Sequence, residues 1–125
     1  MTDVEFDNLI TRAMDELPQE YIKGLDNVAI VMVDEPTAEQ RQRMKIDNQH
    51  FLLGLYEGIP LTKRDAGYNL VLPDKITIFK NQIISISEND TEIFEQIKRT
   101  LWHEIAHYYG LDHGEIDRLQ RNTKN

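Results

Sequence analysis

The chain contains no cysteine. Disulfides, iron–sulfur clusters, cysteine-based zinc fingers and thiol nucleophiles are therefore excluded. No apolar run approaches the roughly 18 residues a membrane span needs. The opening residues, Met1-Thr2-Asp3-Val4-Glu5-Phe6-Asp7, are acidic, with no basic region or apolar stretch behind them. Signal and transit peptides are not expected, and the default location is the cytoplasm. Basic residues are scarce, 14 against 22 acidic ones, for a formal net charge of −8. The acidic excess falls almost wholly in residues 1–60. Like charge repels phosphate, so neither nucleic acid nor a membrane is an expected partner.

What is present suits a folded domain. Of 125 residues, 40% are hydrophobic, enough for a core, and the length suggests one domain spanning residues 1–125. Phe6, Leu9, Ile10, Ala13, Met14 and Leu17 have helical spacing, with Asp3 as the expected N-cap and Pro18 as the stop. Asn27 to Val33 is a β-branched-rich run that reads as a strand buried on both faces. Thr37 and Gln40 have capping-box spacing for a short helix reaching about Ile46. A second strand is expected over His50–Tyr56, where Gly54 and the nearby Gly58 suggest a bend or a close backbone approach. Residues 59–74 read as a long loop, Lys75–Phe79 as a strand and Gln82–Ser87 as another. A helix capped by Asn89 or Asp90 then runs to Tyr109 and ends at Gly110, and a short last helix follows over Glu115–Gln120. This order predicts an α+β fold: a small mixed β-sheet with helices mostly on one side.

The long C-terminal helix carries His103-Glu104-Ile105-Ala106-His107. Positions four apart lie about 40° apart on a helix, so the two imidazoles can aim at one ion. Glu104 points to an adjacent side, within reach of a metal-activated water. An open catalytic zinc site needs a third protein ligand. Gly110 lets the chain fold back and deliver His113, completing H-E-x-x-H-x-x-G-x-x-H from His103 to His113. Asp112, Glu115 and Asp117 are the competing candidates for that ligand or for orienting an imidazole. Ile93, Ile97, Leu101, Ile105 and Tyr109 form the core stripe of this helix, with Phe94 beside it. His103 and His107 lie off that stripe, with Gln96 and Thr100, where a cleft is open to them. His50 stands alone and reads as a surface or half-buried residue rather than a ligand, while Tyr68, Tyr108 and Tyr109 read as packing residues. A closed structural zinc is the alternative to a catalytic one, but it favours four ligands and cysteine.

The string from His103 to His113 resembles the long zinc motif of the metzincin endopeptidases. Yet every methionine (Met1, Met14, Met32, Met44) precedes it, so there is no downstream Met-turn. The chain is more similar to the bacterial family of zincin-like metallopeptidases, predicted zinc-dependent proteases with a minimal metalloprotease-like domain. Three blocks carry that resemblance: Gly54–Leu61, Leu72–Phe79 and Trp102–Tyr109. In that family an aspartate often stands where this chain has His113. The resemblance implies a minimal zincin-like domain with a C-terminal active-site helix.

The expected function is zinc-dependent peptide hydrolysis: Zn2+ on His103, His107 and His113, and Glu104 as general base. A peptide or protein substrate would pair with an edge strand, either Lys75–Phe79 or Gln82–Ser87. The alternative is a non-catalytic module that uses the metal only to shape a peptide- or protein-binding groove.

Overall fold

The computed structural model describes residues 1–46, 50–59, 73–111, 114, 115 and 118. Its elements, in order, are α1 (Asp3–Glu16), α2 (Gln19–Lys23), β1 (Val28–Val33), α3 (Ala38–Arg43), β2 (Gly54–Glu57), β3 (Asp74–Phe79), α4 (Lys80–Ser85) and α5 (Asp90–Tyr108). The fold is α+β, as the order of patterns predicts. Most of the expected loop, and most of the expected last helix, lie outside the described residues. No helix among the described residues is long and apolar enough to cross a membrane.

The sheet is mixed, in the order β1-β3-β2, with β1 parallel and β2 antiparallel to β3. This arrangement corrects the reading of β1. The strand buried on both faces is β3: Ile76 and Ile78 enter the main core, while Phe79 joins Leu52 and Leu55 in a second cluster. Among the described residues β1 pairs on one side only, and its residues are half-buried, with Val33 exposed. Its apolar run reflects two half-covered faces rather than a central position. Strand β2 starts at Gly54, later than expected, and among the described residues it forms the other edge.

Gln82–Ser87 is not a strand. Residues 80–85 form α4, which turns straight out of β3 and buries Ile83 in the core. Three isoleucines favour a strand locally, but tertiary placement overrides that preference. Gln82 holds the helix in place: its amide donates to Glu35 Oε2 at 2.7 Å and its Oε1 accepts from Arg41 Nη2 at 3.0 Å. Among the described residues the sheet edge beside α5 is therefore β2; neither of the two segments expected to supply it does so.

Helix α1 is capped by Thr2 rather than Asp3. Thr2 Oγ1 accepts from the Glu5 amide and Glu5 Oε1 accepts from the Thr2 amide, both at 3.1 Å, a full capping box. Asp3 instead accepts from Lys80 Nζ at 2.6 Å, tying α1 to α4. The Thr37–Gln40 box at α3 is present as expected. Phe6, Ile10 and Ala13 of α1 pack with Ile93, Phe94, Ile97 and Leu101 of α5. Helix α5 is thus clamped between α1 and the sheet, which fixes the helix that carries the histidines.

Candidate metal centre

Asn89 starts α5, its side chain accepting from the Glu92 amide at 2.9 Å. Gly110 ends it at φ 75°, a left-handed value that suits glycine. The Leu111 amide reaches back to the Ala106 carbonyl and the Gly110 amide to that of His107, both at 3.0 Å. That double closure is a Schellman stop. It turns the chain away at Gly110, two residues past the helix, as the glycine predicts. His113, Asp112 and Asp117 lie outside the described residues; Glu115 is exposed.

His103 and His107 are half-buried, with ring centroids 4.6 Å apart at 80°. One potential ligand atom from each of His103, Glu104 and His107 falls within 4.8 Å of the others. A tetrahedral zinc with nitrogens at about 2.0–2.1 Å needs those nitrogens about 3.4 Å apart. Small side-chain rotations reach that spacing, so two imidazoles one helical turn apart fit the ion. Imidazole nitrogens are also donors that zinc accepts.

Glu104 is more enclosed than the helical wheel suggests, at 8% exposure. Burial raises its pKa from 4.5 to about 7, partly opposed by the Tyr56 amide, which donates to Oε1 at 2.9 Å. The carboxyl is therefore held at one oxygen by β2, and it sits in the range where proton transfer at neutral pH works best. Sequence reasoning missed this strand-to-helix link, because a backbone donor leaves no residue signature. Its trace was Gly54. A Cβ there would lie 2.5 Å from Thr100 Cγ2, so only glycine lets β2 approach α5 this closely. The same holds at Gly58, where a Cβ would collide with the Asp74 carboxyl. Asp74 in turn accepts from the Tyr56 hydroxyl at 2.6 Å, fixing the strand that holds Glu104.

The remaining sequence candidates fall elsewhere. Tyr108 Oη pairs with the Asp26 backbone, its amide at 3.2 Å, and Tyr109 Oη donates to the Tyr21 carbonyl at 2.6 Å. Tyr108 anchors the α2–β1 connection and Tyr109 anchors α2 itself, as packing residues would. His50 is exposed, as expected for a surface residue, and Tyr68 lies outside the described residues.

Residues 25–123 match the model of the zincin-like metallopeptidase family. No curated protein matches the chain. Among solved structures, a conserved hypothetical protein from Thermus thermophilus is similar at 20% identity and TM-score 0.59. The match covers 87% of this chain and 94% of that one, and at this identity it speaks for the fold alone. With the family match spanning most of its length, the chain belongs to the zincin-like metallopeptidases.

Proposed function

We propose that the protein is a zinc-dependent metallopeptidase. The observation that carries this reading is the convergence of His103, Glu104 and His107 within 4.8 Å, beside the edge of the sheet. His103 and His107 would hold the ion, with His113 as the third ligand that the sequence spacing proposes. Zinc in that position supplies Lewis acidity, making water a competent nucleophile near neutral pH and polarising a carbonyl.

The chain's own residues do the rest. The Tyr56 amide fixes Glu104 Oε1, leaving Oε2 to take the proton from the attacking water and pass it to the departing amine nitrogen. Residue 53 hydrogen-bonds β3 through its carbonyl, which accepts from the Phe79 amide at 2.9 Å. Alternate residues of an antiparallel strand face opposite edges, so the main-chain groups of Gly54 and Tyr56 face away from β3, and the Tyr56 amide on that side is the one that reaches Glu104. A peptide substrate would lie along that side of β2, bringing its carbonyl over Glu104.

The test is a broad peptide-library digest by the zinc-loaded protein, before and after chelation and again after zinc is restored. Cleavage lost with chelation and regained with zinc supports the reading. Cleavage that chelation leaves untouched, or none under any condition, overturns it.

A further inference from the structure

Strand β1 lies on the far side of β3 from the Tyr56–Glu104 link. The Asn27 carbonyl accepts from the Asp74 amide at 3.0 Å, which sets the phase of the strand. Residues 27, 29, 31 and 33 turn their main-chain groups toward β3, and Val28, Ile30 and Met32 turn theirs away. Among the described residues nothing pairs with the N–H and C=O groups of those three. Their side chains pack against the main core, so the strand is held firmly while its outer rim stays unpaired.

Sheet edges are normally blunted by lysine, proline, a bulge or shortness. Here no charge, proline or glycine occurs from Asn27 to Val33, and β1 runs six residues, about 20 Å. Charge stands only at the ends: Asp26 before the strand and Asp34 after it, both exposed. Neither carboxylate has an ion-pair partner among the described residues.

We propose that the β1 edge docks an extended segment of another protein, apolar over about six residues and basic at both ends. Backbone pairing supplies the attachment. An apolar segment continues both faces of the strand: the core-side row of Val28, Ile30 and Met32, and the opposite row of Ala29, Val31 and the exposed Val33. The acidic ends select the partner. Antiparallel pairing of two copies about Ile30 would set Val28 opposite Met32 and bring the Asp26 end of each copy beside the Asp34 end of the other. Like charge at both ends, on chains that each carry −8, opposes that assembly. Lysine or arginine at the ends of a partner segment turns the same two places into attraction. Because β3 separates the two edges, this docking stands apart from the β2 side and does not depend on the peptidase reading.

The probe is a peptide of six alternating valine and threonine residues with two lysines at each end. A second peptide carries glutamates at the ends instead. A third keeps the lysines but has two adjacent prolines in its middle, which removes donors on both of its edges. Each is titrated into the isotope-labelled full chain while backbone amide resonances are followed. The lysine-ended peptide should shift the Val28, Ile30 and Met32 amides and leave Gly54 unmoved. It should bind about tenfold more tightly than the glutamate-ended one, and the proline peptide should not bind. Asp26→Lys combined with Asp34→Lys changes only exposed side chains and should reverse the preference to the glutamate ends, with the circular dichroism spectrum unchanged. Equal binding of the proline peptide, indifference to the charge of the ends, or no shift along β1 with any peptide overturns the proposal. So does a wild-type dimer whose β1 amides shift with protein concentration, which would make a second copy the occupant.

Discussion

The amide of Tyr56 on β2 holds the carboxylate of Glu104 on α5 at 2.9 Å, joining the sheet edge to the helix that carries His103 and His107. Strand and helix are neighbours because Gly54 has no Cβ to meet Thr100. The position of the Glu104 carboxyl thus depends on a glycine two residues before Tyr56.

Gly54→Ala should push β2 off α5 and destabilise the protein by about 1–3 kcal/mol, the usual cost of overpacking. Thr100→Ser removes the methyl that the new Cβ would meet. The double variant should therefore recover much of the loss. Urea denaturation of the single and double variants measures the coupling.

The hydroxyl of Tyr56 donates to Asp74, a carboxylate only 3% exposed. Tyr56→Phe keeps the ring and deletes that donor. It should cost about 1–3 kcal/mol, the range for withdrawing a partner from a buried acceptor. Asp74→Asn should cost less when added to Tyr56→Phe than it does alone, which a double-mutant cycle reads directly.

Metal-free protein should show a pH dependence traceable to Glu104, whose pKa lies near 7 when folded against 4.5 ordinarily. An acid raised in the folded state keeps a proton there that the unfolded chain has released. Its contribution is fully present below about pH 4.5, fades as pH rises through about 7, and is level above. The full difference is on the order of 3 kcal/mol. Glu104→Gln has no proton to lose, so the stability gap between variant and wild type should widen as pH rises from about 4.5 to about 7.5. Parallel stability curves for the two proteins would contradict the assignment.

The zinc site should bind about one ion per chain through three protein ligands. His103→Ala or His107→Ala should abolish binding, and His113→Ala should weaken it by orders of magnitude. Asp112→Asn should weaken it only about 10–100-fold, the effect of losing an orienting partner. Elemental analysis and competitive zinc titration give the ranking. A larger effect at Asp112 than at His113 would move the third ligand.

The residues that the structure brings together at the candidate site were legible because their signal is local. The i, i+4 histidines, the Asn89 cap and the Gly110 stop all lie within one helix and its ends. The Thr37–Gln40 box was readable for the same reason. What escaped depends on strand order. Nothing in Val28–Val33 says that Asp74–Phe79 will take the centre of the sheet, so β1 read as more buried than it is. Ile83, Ile84 and Ile86 read as a strand, because the pull of the core on Ile83 is a long-range effect. The edge beside the site was misplaced in consequence. The Tyr56–Glu104 link, a backbone bond across 48 positions, has no local signal except the glycine that permits it.

The most direct measurement is a side-by-side digest of a peptide library by zinc-loaded wild-type and Glu104→Gln protein at matched metal content. Glutamine fills the same space and can still accept from the Tyr56 amide, but it cannot take a proton from water. The account predicts cleavage by the wild type and a rate lower by about 10²–10⁴-fold in the variant, the usual contribution of a general base. Metal content and peptide binding should be retained. Equal cleavage by the two proteins would contradict the role of Glu104, and no cleavage by either would favour a metal-shaped binding module instead.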